Sequence, residues 1–398
     1  MPENLLDIVT EHGNLRNQLE SEDYCLDNAS VFSQSQVADL VKIYKKINRI
    51  KNKSACDRND VFYDKEGKLI HVAESAQFSI DEIEYYSNLA LSLKKIFKNK
   101  DGARERNIIA SIGNILKGKI VLNLFIQPSP RTHRSFEAAA KILGADVINE
   151  KDIALSSLLS RKEAFSDAIR TFYNYADAFI IRAPWNYSTE ESIFAQDIYD
   201  ECKSVLNAGS GRREHPTQGL TDMTTVKEML DLSEFKQLGQ KKVVIIGTKY
   251  LRALRSFVQM LVKVSPDLNF VLVDSPDNCI NPELESIFKK AGIAYKESSD
   301  LKNEIVGASI VYLACVNKKV MDYDNSKYFL SLDLAKKLNK NAVILHPLPR
   351  IDELDQSIDN LNVSGIWKQV ENGKFLRAIL LLSVFRKTAE LERIIASV

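Results

Sequence analysis

The sequence predicts an α/β protein with two domains, each built on a central parallel sheet that is flanked by helices. From about residue 71 onwards, short β-branched runs alternate with longer helical segments, which is typical of βαβ units. The predicted strands fall into two groups of four, which indicates two sheets. A chain of 398 residues, of which 45% are hydrophobic, can bury a sizeable core without disulfides or metals.

The two domains are expected at residues 71–218 and 219–375, with a C-terminal helix over residues 376–398 that packs back onto the first domain. The first four strands are predicted at Ile120–Phe125, Ala145–Ile148, Ala178–Ile181 and Val205–Asn207. The second four are predicted at Val243–Ile246, Phe270–Val273, Ser309–Leu313 and Ala342–Leu345. The helical segments between them include Arg134–Leu143, Arg161–Tyr175, Gly219–Leu230 and Ala253–Val264.

Residues 1–70 form an N-terminal extension to which the sequence assigns no role. A helix is predicted in it, because apolar residues recur at helical spacing at Val37, Leu40, Val41, Tyr44 and Ile47. The opposite face is basic and carries Lys42, Lys45, Lys46, Arg49, Lys51 and Lys53. This face is either a surface for a partner or nucleic acid or a solvated helix face, and the second interpretation is favoured. The polar stretch Lys53–Asp64 is predicted to be a loop or linker.

The charge balance and the cysteines exclude several classes of protein. The 54 Lys and Arg against 53 Asp and Glu argue against a protein that coats nucleic acid or an acidic membrane. The five cysteines are far apart, which fits neither a disulfide framework nor a structural zinc site. The N-terminus is charged where a signal peptide needs an apolar core, and the most apolar run, Ala378–Phe385, is too short to cross a bilayer. We therefore expect a cytoplasmic protein that binds neither nucleic acid nor membrane and holds no metal.

The most informative segment is Phe125–Glu137, which follows a predicted strand and begins a predicted helix. Such a turn directs backbone N–H groups and the positive end of the helix dipole at one point. Ser129, Arg131 and Thr132 add hydroxyls and a forked cation, which suit a phosphate group. The alternative is a capped helix with Pro130 at its first position and no ligand.

A second segment, Asn207–Asp222, has glycines directly after a strand and then His215 and Gln218, three residues apart. These polar side chains are expected at the carboxyl-terminal edge of a sheet, where open α/β folds bind their ligands. Alternatively, a histidine beside a proline is a hydrogen-bonded structural residue.

A third segment, Leu345–Glu353, also follows an apolar strand. Two prolines around Leu348 remove backbone donors and stiffen the loop, so that carbonyl oxygens remain as acceptors for an amine. The alternative is a rigid turn without a ligand.

Nucleotide cofactors are not expected. The strand Val243–Ile246 is followed by Gly247, but the second and third glycines of a dinucleotide site are missing. No phosphate-binding P-loop motif occurs either. The sequence therefore predicts neither nicotinamide nor ATP chemistry and no cofactor.

Together and in this order, the three segments resemble the aspartate/ornithine carbamoyltransferase family over roughly residues 71–390. The Ser-Pro-Arg-Thr run at Ser129–Thr132 is similar to the family's Ser-Thr-Arg-Thr carbamoyl-phosphate loop, and His215–Gln218 matches its second signature. Arg182 falls where the family's carbonyl-contacting arginine follows an apolar strand. The His-Pro-Leu-Pro-Arg run at His346–Arg350 is similar to the aspartate branch, whereas the ornithine branch has a cysteine in this loop.

The resemblance implies a transferase that moves the carbamoyl group of carbamoyl phosphate to the amino group of aspartate or a related amine and releases phosphate. With aspartate, the reaction belongs to pyrimidine biosynthesis. The donors to the carbonyl oxygen are then the catalytic residues Thr132, Arg182 and His215. The carbamoyl-phosphate site comprises Ser129, Arg131, Thr132, Arg182, His215 and Gln218, with Ser157, Arg161 and Lys162 supplied by a neighbouring subunit. The acceptor site comprises Arg252, Asn317, Leu348 and Pro349. The resemblance further implies catalysis by electrostatics and proximity, without a metal, in a homotrimer whose active sites are shared.

The chain departs from the family pattern at four places. Pro130 and His133 replace a threonine and an arginine, and the segment before Arg252 is one residue shorter. Cys315 stands where the family has the arginine that holds a carboxylate of aspartate, and Asn317 replaces a glutamine. The loss of that arginine is expected to weaken aspartate binding by about 10- to 150-fold. Two alternatives therefore stay open: a carbamoyltransferase with a different amine acceptor, and a catalytically impaired paralogue that serves as a binding or regulatory subunit.

Overall fold

The computed structural model describes residues 14–18, 33–53, 58–99, 103–150, 163–247, 252–274, 280–314 and 325–397. The chain divides into two compact units. Unit 1 comprises residues 1–77, 96–216 and 377–398, and unit 2 comprises residues 78–95 and 217–376. Each unit holds its own parallel sheet, so the predicted fold class is confirmed.

The described residues contain nine strands, and all of their pairings are parallel. They are β1 (Ile120–Phe125), β2 (Asp146–Glu150), β3 (Ala178–Ala183), β4 (Ser204–Ser210), β5 (Lys242–Ile246), β6 (Asn269–Val273), β7 (Tyr295–Ser298), β8 (Ile310–Leu313) and β9 (Val343–Leu345). All eight predicted strands are present with small shifts at their ends. The sequence did not predict β7, because this strand lies at a sheet edge and its four residues are exposed or half-buried.

The α-helices lie between these strands and at both ends of the chain. Those before β4 are α1 (Gln34–Lys51), α2 (Asn59–Phe62), α3 (Ile80–Lys98), α4 (Ala103–Ile112), α5 (Pro130–Ile142), α6 (Phe165–Tyr173) and α7 (Ser188–Phe194). Those after β4 are α8 (Pro216–Met229), α9 (Arg252–Val264), α10 (Pro282–Ala291), α11 (Leu301–Glu304), α12 (Leu332–Ala335), α13 (Ile366–Val384) and α14 (Thr388–Ala396). In the part of the chain that the structure describes, no helix has both the length and the apolar character needed to cross a bilayer.

The sheet of unit 1 has the strand order β2-β1-β3-β4. The outer side of β4 is covered by the segment around Val72, whose N–H donates to the carbonyl of Val205 over 3.0 Å and whose carbonyl accepts from the N–H of Asn207 over 2.7 Å. His71, which is 2% exposed, accepts from the N–H of Val205 at its Nδ1 over 3.1 Å. Burial lowers the pKa of His71 to about 3. The neutral imidazole is therefore part of the packing at this edge of the sheet.

The N-terminal extension belongs to unit 1, and its predicted helix is confirmed as α1. Ser33 begins the helix with a capping box that it shares with Gln36. The apolar face is buried and includes Leu40 and Tyr44, whereas the basic residues of the opposite face are exposed or half-buried. Asp39 accepts hydrogen bonds from the first part of α6, at Ser166 and Arg170. The short helix α2 lies within the stretch that was predicted to be a loop.

The sheet of unit 2 has the strand order β7-β6-β5-β8-β9. Helix α3 begins in unit 2, where Lys94 binds Glu228 of α8 over 2.8 Å. The predicted domain boundary had placed this helix in the first domain. Helices α8 and α9 approach each other closely at Gly219, because a Cβ at this position would lie 2.9 Å from the backbone of Ser256.

The C-terminal residues 377–398 lie in unit 1 and comprise the end of α13 and the whole of α14. Arg377 donates to the hydroxyl of Ser135 on α5 over 2.8 Å. Arg386 binds the carboxylate of Asp64 over 2.6 Å.

Candidate active site

Three strand ends of unit 1 position five of the predicted site residues, namely Ser129, Arg131, Thr132, Arg182 and His215. Strands β1, β3 and β4 are adjacent and parallel, so their carboxyl ends lie at one edge of the sheet. The loop after β1 leads into α5, Arg182 is the second-to-last residue of β3, and the chain after β4 continues to His215.

Ser129, Thr132 and His215 lie together at this edge. Ser129 precedes α5 in an extended conformation, and its Oγ donates to Oγ1 of Thr132 over 3.1 Å. Oγ1 of Thr132 lies 3.5 Å from Nε2 of His215, although 83 residues separate the two in sequence. Thr132 is 7% exposed and His215 is 5% exposed, so little water competes for their polar atoms.

Two basic side chains follow Pro130 in the first turn of α5. Pro130 is the first residue of the helix and brings no N–H group to its positive end. Arg131 is exposed, but the surrounding protein partly desolvates its guanidinium, which lowers its pKa from the ordinary value. His133 is buried and packs edge-on against Phe125 of β1, with 4.9 Å between ring centroids. His133, which replaces an arginine of the family pattern, therefore belongs to the core.

Arg182 is held by both its backbone and its side chain. Its carbonyl accepts from the N–H groups of Ile126 and Gln127 over 2.9 and 3.2 Å, which fixes the start of the loop after β1. Its Nη1 donates to the carbonyl of Ala208 on β4 over 2.8 Å. The guanidinium is thus directed across the end of the neighbouring strand.

The two residues that precede His215 are fixed by buried charges. Burial opposes the charge of Arg213, but the carboxylates of Glu190 and Glu74, at 2.8 and 2.5 Å, raise its pKa well above the ordinary value. Glu214 accepts from the hydroxyl of Ser75 over 2.8 Å. These contacts hold the backbone from which His215 extends.

The predicted acceptor residues that the structure describes belong to unit 2. Arg252 is the first residue of α9, and burial lowers its pKa to about 10, so it keeps its charge at neutral pH. Leu348 is half-buried with a φ of +60°, and a cis peptide bond joins it to the exposed Pro349. The remaining predicted site residues lie outside the described residues: Ser157, Arg161, Lys162 and Asn317.

Gln218 contacts residues for which the sequence predicts no functional role. Its Nε2 donates to Oδ1 of Asp222 over 2.7 Å. The same oxygen accepts from Nε2 of Gln369 on α13 over 2.8 Å. Asp222 lies four residues after Gln218 on α8, a spacing that places two side chains on one helix face and was visible in the sequence. The link to Gln369 has no such local signal.

The chain matches two families of known proteins, over residues 70–228 and 239–384. Residues 70–228 match the family described as "Aspartate/ornithine carbamoyltransferase, carbamoyl-P binding domain". Residues 239–384 match the family described as "Aspartate/ornithine carbamoyltransferase, Asp/Orn binding domain".

Individual relatives and a solved structure agree with these matches. The chain is 30% identical over 328 residues to the aspartate carbamoyltransferase catalytic subunit of Nitrosopumilus maritimus (strain SCM1), which covers 80% of this chain and 96% of the relative. It is 33% identical over 283 residues to the corresponding subunit of Vibrio vulnificus (strain YJ016), covering 69% and 87%. Its fold is similar to that of Trypanosoma cruzi aspartate transcarbamoylase in complex with aspartate and phosphate, with a TM-score of 0.65, 27% identity, and coverage of 79% of this chain and 94% of that one. The resemblance inferred from the sequence is thereby confirmed, and the chain belongs to the aspartate/ornithine carbamoyltransferase family.

Proposed function

We propose that this protein transfers the carbamoyl group of carbamoyl phosphate to the amino group of aspartate. The amine nitrogen forms a bond to the carbamoyl carbon, and the bond between that carbon and the phosphate oxygen breaks. Its electron pair leaves with the phosphate, which also takes the proton that the amine loses. The products are N-carbamoylaspartate and inorganic phosphate.

The residues at the strand ends of unit 1 have the chemistry that this reaction requires. Arg131, with the hydroxyls of Ser129 and Thr132, binds the phosphate at the beginning of α5. Thr132, Arg182 and His215 donate to the carbonyl oxygen, whose negative charge grows as the amine attacks. Catalysis then results from holding the reactants together and from donors that are already in place.

The contact between Thr132 and His215 is the observation that carries the proposal. A hydroxyl from the phosphate loop and an imidazole from a distant segment lie 3.5 Å apart at the sheet edge where α/β folds bind ligands. Both are buried, which strengthens their interaction with a developing oxyanion. Support for the substrates comes from the T. cruzi enzyme, which has been crystallised with carbamoyl phosphate, with aspartate and phosphate, and with N-(phosphonacetyl)-L-aspartic acid.

The direct test is an assay with carbamoyl phosphate and aspartate that quantifies both N-carbamoylaspartate and phosphate. We expect the two products in equal amounts. Phosphate release without a carbamoylated product, or no product with any amine in a panel, would overturn the proposal.

A different amine acceptor is the second candidate, and Cys315 is the observation that favours it. This neutral residue stands where the family's carboxylate-binding arginine is expected, so binding of aspartate loses a charge-assisted contact. If another amine is the acceptor, it will show a higher kcat/KM than aspartate in the same panel. The Cys315→Arg variant should then gain activity with aspartate.

We also propose a homotrimer in which Ser157, Arg161 and Lys162 of one subunit complete the site of the next, a role in pyrimidine biosynthesis, and a cytoplasmic setting. The family resemblance supports the first two, and the spacing of the cysteines supports the third. Light scattering coupled to size-exclusion chromatography tests the trimer, since a monomeric active enzyme would contradict it.

Growth of a pyrimidine auxotroph carrying this gene tests the role in pyrimidine biosynthesis. Fractionation of source cells tests the cytoplasmic setting.

A further inference from the structure

We propose that Asp222 is a positioning residue that orients both Gln218 and the loop at Leu348 through a buried hydrogen-bond network. This inference rests on the proposed function and on the family resemblance, which implies that Gln218 contacts the carbamoyl group and that the carbonyl of Leu348 accepts from the incoming amine. The network lies within unit 2 and consists of Gln218, Asp222, Tyr312, Gln369, His346 and Glu353. We call it the Asp222 network.

Asp222 is fully buried and accepts hydrogen bonds at both carboxylate oxygens. Oδ1 accepts from Nε2 of Gln218 over 2.7 Å and from Nε2 of Gln369 over 2.8 Å. Oδ2 accepts from the hydroxyl of Tyr312 over 3.1 Å. Burial and the neighbouring carboxylate raise the pKa of Tyr312 well above its ordinary value, so this hydroxyl remains a donor.

The carboxylate determines which end of each glutamine faces it. Oδ1 of Asp222 accepts both hydrogen bonds, so both glutamines turn their amide nitrogens towards Asp222. The amide oxygen of Gln218 is then turned away from Asp222. An oxygen there accepts from the amino group of carbamoyl phosphate, whereas a flipped amide would present a donor to a donor.

The second branch runs from Gln369 to the loop at Leu348. With its nitrogen held by Asp222, Gln369 accepts at Oε1 from the N–H of His346 over 2.8 Å. Nδ1 of His346 accepts from the N–H of Leu348 over 2.9 Å, and its Nε2 lies 2.5 Å from the carboxylate of Glu353. The imidazole is therefore the tautomer with its proton on Nε2, fixed from both sides.

This branch helps to hold Leu348 in an unfavourable backbone conformation. A φ of +60° in a residue other than glycine is unfavourable and persists only where the surroundings impose it. The hydrogen bond from Leu348 to His346 is one such constraint. By fixing the peptide plane on one side of Leu348, it also helps to direct the carbonyl that is proposed to accept from the amine.

Kinetics of matched variants test the network. Asp222→Ala removes both acceptors, and we expect kcat to fall by about 10- to 100-fold, the loss typical of misplaced reacting groups. Asp222→Asn should stay within a few-fold of the wild type, because its amide oxygen can still accept from both glutamines and its nitrogen can donate to Tyr312. Thr225→Ala is the control: this buried hydroxyl on the same helix binds Asn372 and lies outside the network.

Two further measurements separate positioning from general destabilisation. The Kd of inorganic phosphate should be the same in all variants, because its proposed ligands lie in unit 1. In a double-mutant cycle, Asp222→Ala should cost less in the Gln218→Ala background than in the wild type, because part of its effect acts through Gln218. Equal kcat values for Asp222→Ala and Thr225→Ala, or full additivity with Gln218→Ala, would overturn the inference.

Hydrogen–deuterium exchange distinguishes a failure of this inference from a failure of the proposed function. If wild-type protein shows no transfer to any amine, the proposed function fails, but the network is still measurable. The amides of His346 and Leu348 should then exchange at least about 10-fold faster in Asp222→Ala than in Thr225→Ala, with Asp222→Asn close to the wild type. Unchanged exchange at these two amides would refute the network independently of activity. If Asp222→Ala does not fold, Gln369→Met, which breaks the same branch without touching a proposed substrate contact, takes its place.

Discussion

Arg16 forms a two-pronged ion pair with Glu191 of α7, with Nε to Oε2 at 2.8 Å and Nη2 to Oε1 at 2.6 Å. The two side chains are 1% and 0% exposed. Trp185 donates to the same carboxylate from Nε1 over 3.0 Å, and the Arg16 guanidinium lies 4.2 Å from the centre of the Trp185 ring. Part of the N-terminal extension is therefore a structural component of unit 1.

Loss of one partner from this pair should destabilise unit 1 strongly. Arg16→Met leaves the Glu191 carboxylate buried without its counterion, so we expect the free energy of unfolding to fall by about 3 to 5 kcal/mol. Urea denaturation followed by Trp185 fluorescence, in a Trp367→Phe background, measures this. Arg16→Met combined with Glu191→Gln should recover at least half of the loss, because the amide oxygen still accepts from Trp185. A single variant that loses less than about 1 kcal/mol would show that the pair is not buried in solution.

His71 should make the stability of unit 1 dependent on pH. Its pKa is about 3 in the folded protein and about 6.5 in an unfolded chain, so the unfolded state binds the extra proton between these values. The free energy of unfolding is therefore unaffected by His71 well above pH 6.5. It decreases as the pH falls below this value, by about 2 kcal/mol at pH 5. Urea denaturation at a series of pH values measures the slope.

His71→Asn is the matched variant for this experiment. The asparagine oxygen can replace Nδ1 as the acceptor for Val205 but does not titrate. We expect its stability to change less between pH 6.5 and pH 5 than that of the wild type. Parallel pH profiles for the two proteins would contradict the assignment.

Arg131 should contribute most of the phosphate affinity at the beginning of α5. Removal of a charge-assisted contact costs about 1.5 to 3 kcal/mol, so Arg131→Ala should weaken carbamoyl phosphate binding by about 10- to 150-fold in calorimetry. Arg134→Ala is the control, because this exposed arginine on the same helix binds Glu137. Equal affinities for the two variants would remove Arg131 from the proposed site.

Shared active sites should reveal themselves by complementation. At carbamoyl phosphate concentrations that do not saturate the variants, Arg131→Ala and Arg161→Ala should each have little activity alone, but mixed trimers contain sites in which neither substitution is present. We expect activity to appear when the two variants are dissociated and reassembled together. Mixtures that stay at the sum of the separate activities would argue that each subunit carries a complete site.

The regular elements were predictable from sequence because buried strands are encoded locally. β1 is an apolar run interrupted only by Asn123, and the sequence predicts both of its ends. β7 was not predictable, since Lys296 and Glu297 give it no apolar character and its place at the sheet edge depends on β6. The burial of Arg16 was not predictable for a related reason. Its counterion lies 175 residues away, and no residue near Arg16 in the sequence indicates the pair.

The site was predictable to the extent that it lies in short motifs. Ser129, Thr132 and His215 were each expected at a strand end, and the structure brings their side chains together. Motifs do not reveal how such side chains are oriented, because the orienting groups come from distant helices. Gln369, 151 residues beyond Gln218, is the clearest case.

The segment around Val72 has a consequence for the solubility of the protein. It occupies the backbone hydrogen-bonding groups of β4 at Val205 and Asn207, which would otherwise be a row of donors and acceptors open to another chain. A shortened protein that begins after residue 74 would present this row as a template for edge-to-edge aggregation. The segment around Val72 thus prevents the edge of β4 from pairing with the same edge of another copy of the protein.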